Sequence, residues 1–366
     1  MARKLASIRI ISEIHPIVGK DRVELAIVDG WSCMVSKSDV FISGDRCIFC
    51  EPDSVFPATE QWDFLKKYDY RIKTQKFRDG DGNRIYSQGL VLPLHVLGDN
   101  AYNVDVDDDV TQMLGITQYE ETRDIESKNG KKFGPVMEFM MRYGWFRKLV
   151  LPKKEKAGFP DEVSKTDEER VQNCPKAYMT SENWIASEKV DGQSGTYLLR
   201  RKKGLFVPKY EFVVCSRNQK TGDKNSSYWK CAVKYKIEDA LKKLIGDKNW
   251  VCMQGECLGP GIQKNKYDFK EYEFRAFNLI YPKEGRLPSQ DAKVIVEKLG
   301  IPWVPIIETL PKSWFEDKTV QDILEYANGK SELNKNTKRE GIVFRSEDGK
   351  NSFKAVSPEF LIKYDE

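Results

Sequence analysis

The first hundred residues contain no apolar stretch long enough to build a helix. They break into short runs, Leu5–Ile11, Val23–Val28, Cys33–Val35, Val40–Ile42 and Cys47–Cys50, separated by Gly19-Lys20-Asp21, Asp29-Gly30 and Gly44-Asp45. A further pair, Tyr70–Phe77 and Arg84–Leu92, flanks Asp79-Gly80-Asp81-Gly82-Asn83, which is hairpin chemistry. Many short strands with turn residues between them restrict residues 1–112 to a small β barrel or sandwich.

The chain has 366 residues, a length that fits two domains better than one. Residues 105–135 are polar, carry Asp107-Asp108-Asp109, and read as an irregular excursion or linker. Across Met137–Leu151, the residues Phe139, Met140, Tyr143, Phe146, Leu149 and Val150 approximate helical spacing and predict a connecting helix. A polar stretch from Pro152 to about residue 175 marks the domain boundary. Beyond it, Trp250–Leu258, Glu273–Tyr281, Gly341–Arg345 and Ser352–Val356 read as strands, and Ala232–Ile245 and Ser289–Leu299 as helices. The second half is therefore α+β. The division is 1–135 for the β module, 136–182 for helix and linker, and 183–366 for the second domain.

Several function classes drop out. No run approaches the roughly 18 consecutive apolar residues of a membrane span. The start, Met1-Ala2-Arg3-Lys4-Leu5-Ala6, has no apolar signal core, so an intracellular location is expected. Of eight cysteines only Cys47 and Cys50 form a C-x-x-C, and neither a second pair nor a nearby histidine completes a zinc site. With two histidines, His15 and His95, histidine acid–base chemistry is a poor expectation. Residues 1–150 hold 21 basic and 23 acidic groups, and residues 151–366 hold 39 and 33. That excess is too small to establish a polyanion partner by itself.

Chemistry concentrates after residue 183. A lone Lys189-Val190-Asp191-Gly192 would be weak evidence, but it is followed in order by Ser216-Arg217-Asn218, Gln254-Gly255-Glu256, Glu273-Phe274-Arg275-Ala276-Phe277, Glu340-Gly341-Ile342-Val343-Phe344-Arg345 and Phe353-Lys354-Ala355-Val356. This ordered set resembles the covalent nucleotidyltransferase superfamily: ATP-dependent DNA and RNA ligases and mRNA capping enzymes. The run Gly255–Gln263 and the glutamate directly before Lys189 are especially similar to RNA ligases. About ten residues follow the last motif and the β-rich part comes first. That layout resembles the branch of ATP-dependent RNA ligases with an N-terminal OB-fold module. The resemblance implies an α+β nucleotidyltransferase domain of the ATP-grasp-like ligase type, preceded by an all-β OB-fold barrel.

It also implies a reaction. A lysine attacks the α-phosphorus of ATP, AMP passes to a 5′-phosphate, and a 3′-hydroxyl displaces AMP. Lys189 is the expected nucleophile. A free lysine has a pKa of about 10.4, so it must be deprotonated by its surroundings, through a divalent metal or a cation such as Lys354. Arg217 and Lys354 are the expected phosphate cations, because phosphoryl transfer rests on positioning and charge neutralisation. Asp191, Glu256 and Glu340 are hard oxygen donors suited to Mg²⁺ or Mn²⁺. Phe277 is the expected adenine stacking partner, whereas Phe274 falls on the core face by strand alternation. Glu188 is an acceptor for the adenine amino group, a preference that disfavours guanine. Gln263 is expected near the nucleic-acid end.

Two departures from the family pattern stand out. Val356 occupies the place where many ligases carry a second lysine, so that contact must come from the N-terminal module or a residue such as Lys363. The arginine several ligases carry just after the first motif is missing, with Ser194 nearby. In the β-rich part, Lys66–Arg78 holds six basic groups and one acid with aromatics interleaved. It reads as a nucleic-acid surface, with Lys73 and Lys76 its candidate contacts. Arg200-Arg201-Lys202-Lys203-Gly204 is a weaker basic cluster. The expected partner is RNA, or an RNA-containing duplex with a nick, bound by a monomer without a membrane. The alternatives are a capping-type guanylyltransferase and a non-catalytic nucleic-acid binding protein.

Overall fold

The computed structural model describes residues 4–119, 158–202 and 209–364. The predicted helix Met137–Leu151, the boundary at 135/136 and the pair Lys203-Gly204 lie outside these residues.

The N-terminal module is all-β apart from short 3-10 turns. Its strands are β1 (Ala6–Pro16), β2 (Val23–Val28), β3 (Trp31–Ser36), β4 (Arg46–Cys50), β5 (Ser54–Val55), β6 (Gln75–Arg78), β7 (Arg84–Ser87), β8 (Leu90–Pro93) and β9 (Thr117–Gln118). The main sheet has the order β3-β2-β1-β4-β8. Its long strand β1 shifts register between Ile11 and Glu13, so its first half pairs with β4 and its second with β2. A bulge of this kind bends a strand and raises its twist. The sheet curls into an OB-like half-barrel whose edge strands β3 and β8 do not pair with each other.

Three expectations for this module change. Val40-Phe41-Ile42 is not a strand, because Val40 is left-handed (φ 53°) and closes the turn Lys37–Asp39. Residues 105–119 are not a linker. Val110, Leu114 and Ile116 are buried with Ile8 and Phe56, and Asp108 O accepts from Ile8 N at 3.0 Å. The acidic run is thus pinned along β1, and only its side chains are solvated. Tyr70–Phe77 is not one strand either: it runs from an irregular connection after the 3-10 helix Glu60–Tyr68 into β6, which pairs only with β7.

The second domain holds β10 (Asn183–Lys189), β11 (Gln193–Lys202), β12 (Lys209–Cys215), β13 (Trp250–Leu258), β14 (Glu273–Tyr281), β15 (Gly285–Arg286), β16 (Ile306–Pro311), β17 (Gly341–Ser346) and β18 (Ser352–Val356). They form two antiparallel sheets, β16-β10-β17-β18 and β12-β11-β13-β14-β15. The helices are α1 (Ser227–Lys234), α2 (Ile237–Leu244), α3 (Ser289–Glu297), α4 (Ser313–Glu316), α5 (Val320–Ala327) and α6 (Pro358–Tyr364). The single helix predicted over Ala232–Ile245 is two, because Lys236 adopts φ 48° and breaks the hydrogen-bond ladder.

Each sheet carries its own apolar core. Ala232, Leu241 and Val296 of α1, α2 and α3 pack on Tyr197, Met253 and Phe274 of the five-stranded sheet. Phe315 and Leu324 of α4 and α5 pack on Trp184, Phe344 and Phe353 of the four-stranded one. Sealing each sheet with helices on one face leaves the space between the two sheets for polar side chains.

The two modules meet at the β2–β3 turn. Gly30 N donates to Gln172 O at 2.9 Å, and Trp31 Nε1 donates to Asn173 Oδ1 at 2.7 Å. A second contact joins Arg84 to Glu359 at 2.7 Å. Among the described residues no helix is long and apolar enough to cross a membrane.

Candidate active site

The tetrapeptide Lys189-Val190-Asp191-Gly192 is the crossing between the two sheets. It ends β10 of one and leads into β11 of the other. Gly192 is required there: a Cβ would stand 2.6 Å from Cys257 O and 2.8 Å from Glu256 Cγ. That close approach brings β13 against the turn, with Glu256 directly across from Ser194 on β11. On the other side, Lys189 pairs in register with Gly341, so Glu340 arrives beside the lysine. Lys354 follows on β18, across from Val343. Residues Pro302–Pro305 join the sheets, since Ala276 N donates to Pro302 O and Glu188 N to Pro305 O, both at 2.8 Å.

The residues predicted from separate motifs therefore converge. Lys189 Nζ donates to Glu340 Oε1, and the two side chains are 24% and 15% exposed. Burial disfavours the ammonium, but Glu340, with Glu256 and Asp191 behind it, outweighs burial and raises the Lys189 pKa. The lysine is held charged. Burial pushes Glu256 well above the usual carboxylate range, against the pull of Lys189 and with help from Glu340 and Asp191.

Asp191 points elsewhere. Its Oδ2 lies 2.5 Å from Lys266 Nζ, both side chains nearly fully buried at 5% and 4% exposure. Its backbone N–H donates to Tyr267 Oη at 2.8 Å. Lys266 is in turn packed between Phe360 and Tyr364, its Nζ 4.9 Å from each ring centroid. Among the described residues no cluster of three His, Cys, Asp or Glu side chains is tight enough to hold a metal ion. The three carboxylates grouped in the sequence reading thus surround Lys189 without forming a preassembled cage.

Glu188 is 2% exposed. Its Oε2 accepts from Glu332 N at 2.7 Å and Ser331 lies beside the carboxyl, while its buried Oε1 has no partner at hydrogen-bond distance among the described residues. A buried acceptor without a donor is costly and calls for a ligand or water. Phe277 is half-buried beneath Arg345, whose guanidinium carbon lies 5.5 Å from the ring centre. Phe274 is fully buried against Tyr197, as strand alternation requires.

Arg217 lies in the turn after β12, and its Nη2 reaches Asp167 Oδ2 at 2.9 Å. Lys354 Nζ reaches the other oxygen of Asp167 at 2.8 Å. Burial pulls the Lys354 pKa down to about 8, with Asp167 opposing and the cations Arg170 and Lys189 adding to the fall.

Asp167 belongs to a segment that sequence patterning does not single out. Ser164 O accepts from Gln254 of the five-stranded sheet at 2.9 Å. Glu168 pairs with Arg345 of the four-stranded sheet at 3.1 Å, and Glu169 O accepts from Lys354 N at 2.7 Å. Arg170, next in line, forms a backbone bridge with Lys354, and its guanidinium lies over Trp31 of the β module at 5.6 Å. Arg170 is thus a further cation near Lys354, whereas Lys363 is exposed on α6.

The remaining candidates sit outside this cluster. Gln263 begins three consecutive left-handed residues, Gln263, Lys264 and Asn265 (φ 44°, 55° and 47°). Each costs about 1–2 kcal/mol relative to ordinary backbone, and the Asn265 side chain braces the turn by bonding Phe269 N and O. Lys73 and Lys76 lie on the β module, Lys76 exposed on β6. Arg200 of the weaker basic cluster lies within β11, paired with Glu162 at 2.6 Å.

This geometry has close parallels in known proteins. The RNA ligase family model matches residues 182–364, and an OB-fold domain model matches residues 5–94. The chain is similar to a Naegleria gruberi RNA ligase solved with PPi, with 31% identity over 100% of this chain and 99% of that one and a TM-score of 0.77. A mutant of that ligase with AMP and Mn matches with 31% identity, 99% of each chain and a TM-score of 0.77. Another, with ATP and Mn, matches with 31% identity, 99% of each chain and a TM-score of 0.78. No curated protein matches the chain. Two sheets that bring Lys189, Glu256, Glu340 and Lys354 together, an OB-fold module ahead of them, and a likeness spanning the whole length all lead to one conclusion: the chain belongs to the RNA ligase family.

Proposed function

We propose that this RNA ligase joins RNA 3′-hydroxyl and 5′-phosphate ends with ATP, acting at nicks in an RNA-containing duplex as a monomer, through AMP bonded to Lys189. The observation that carries the reading is the convergence on Lys189 of Glu340 just before β17, Glu256 on β13 and Lys354 on β18.

In the first transfer the Lys189 amine attacks the α-phosphorus. An N–P bond forms, the α–β anhydride breaks, the amine loses a proton, and pyrophosphate leaves. Lys354 and Arg217 neutralise the phosphate oxygens from one side of the crevice. Glu188 accepts from the adenine amino group through its partnerless Oε1. Guanine presents an oxygen at that edge, which argues against a guanylyltransferase. Phe277 offers its ring face to the base.

Glu256 and Glu340 fit a divalent ion. Glu256 is a half-buried carboxylate that forms no ion pair among the described residues, and magnesium is commonly held by one or two carboxylates together with substrate phosphates. Bound there, Mg²⁺ or Mn²⁺ supplies the positive charge that offsets both carboxylates. With its anionic neighbours neutralised, Lys189 loses the interactions that raise its pKa and becomes a better nucleophile. Asp191, turned toward Lys266, adds only its negative charge to this cluster from the turn after the lysine.

Gln263, Lys73 and Lys76 are proposed contacts to the nucleic acid. Lys66, Lys67, Lys76 and Arg78 are exposed, with Tyr68, Tyr70 and Phe77 half-buried among them, a mix that favours phosphate contact. An intracellular setting belongs to the same proposal and is supported by eight cysteines that are all free thiols.

Sealing of matched nicks tests the substrate. A nick with an RNA 3′-hydroxyl end should be sealed faster than the all-DNA nick, since A-form geometry and the 2′-hydroxyl are what distinguish RNA. Equal rates would contradict the RNA preference.

A further inference from the structure

We propose that Asp167 is a positioning residue that holds Arg217 and Lys354 together as one phosphate-binding pair. The inference rests on the reading of those two cations given above.

The geometry is specific. One carboxylate spans the two sheets: its Oδ2 takes the Arg217 guanidinium at 2.9 Å, and its Oδ1 takes the Lys354 ammonium at 2.8 Å. Arg217 sits on a turn and is 50% exposed, with no other ion pair among the described residues. Nothing else there fixes where its guanidinium points. Two cations aimed at one phosphate also repel each other, and Asp167 offsets that repulsion. Each keeps donors to spare. A guanidinium has five N–H groups and an ammonium three, and the pair spends one of each on Asp167. A phosphate can therefore be gripped without expelling the carboxylate. The segment itself is anchored on both sides, by Ser164 to Gln254 and by Glu168 to Arg345. Asp167 is thus a fixed post for side chains that would otherwise wander.

The electrostatics add an independent readout. Among the charged groups acting on Lys354, Arg170 and Lys189 lower its pKa, while Asp167, with Glu168 beside it, raises it, and only Asp167 is hydrogen-bonded to it. Lys354 must be charged to bind phosphate. The pH profile of kcat/KM breaks where Lys354 begins to lose its proton. Removing Asp167 moves that break to lower pH.

The test is lysyl-AMP formation with labelled ATP, followed against pH, for wild type, Asp167→Ala, Asp167→Asn and Asp167→Glu. Asp167→Ala should lower kcat/KM about ten- to a hundredfold, and both neutral variants should shift the break to lower pH. Asp167→Glu should keep the break near the wild-type position. Thermal melts identify any variant that fails to fold, and the near-isosteric Asp167→Asn guards against that outcome. An unchanged pH break in the neutral variants would overturn the inference. So would tighter ATP use in Asp167→Ala, which would make the carboxylate a competitor of phosphate. If wild type forms no adduct, the reading of the site falls and the inference with it. If wild type forms the adduct and the variants match it, only the inference falls.

Discussion

Lys189 and Glu340 form an ion pair because β10 and β17 place Lys189 opposite Gly341, the residue after Glu340. The register of two antiparallel strands thus delivers a carboxylate to the nucleophile from 151 residues further along the chain. The same pairing sets a problem. In the nucleotide-free protein the residue that must be neutral is held charged, while Lys354, which must be charged, has its pKa pulled down to about 8 by burial.

That inversion predicts a pH profile. Since kcat/KM reports the free enzyme, lysyl-AMP formation should rise with pH while Lys354 stays protonated. It should stop rising near pH 8, where each further gain at Lys189 is matched by a loss at Lys354. Lys354→Arg substitutes a cation that keeps its charge. Its absolute rate should fall, because the fork is a different shape, but its profile should keep rising beyond that pH. A break at the same pH in both proteins would assign it to another group.

Nucleotide choice should depend on Glu188. Its Oε1 is buried and unpartnered, poised for an N–H donor. Glu188→Ala should narrow the preference for ATP over GTP by about tenfold, the size of one hydrogen bond to a charged group. Competing labelled ATP and GTP for the adduct measures it. An unchanged ratio would remove Glu188 from base recognition.

Stability should register the tight approach of β17 and β18. A Cβ on Gly341 would stand 2.2 Å from Ala355 O, a backbone atom that cannot swing away. Gly341→Ala should cost about 1–3 kcal/mol, read as a lower denaturant midpoint. It should also reduce adduct yield, because Glu340 moves with its neighbour. A midpoint equal to wild type would show that the strands part more easily than the packing implies.

How much of this was legible beforehand depends on where the information lies. β2, β13, β14 and β18 fall at the residues their apolar patterning marks, because each is half or fully buried by its own sheet and helices. The motifs mark Lys189, Glu256, Glu340 and Lys354 because the chemistry restricts residue type at each. Asp167 and Arg170 were missed: the polar stretch around them has no period of its own and is fixed entirely by partners on both sheets and on Trp31. Lys266 was missed for the same reason, since only folding brings it to Asp191. Val40-Phe41-Ile42 misled in the opposite sense. It is apolar enough for a strand, yet Val40 closes a turn and stands 76% exposed.

The most direct measurement is to incubate the protein with α-labelled ATP and a divalent metal, digest it, and locate the label. The account predicts AMP bonded to the peptide containing Lys189, a bond absent in Lys189→Ala although that variant folds. Label on a different residue, or a guanylate adduct formed in place of the adenylate, would contradict it.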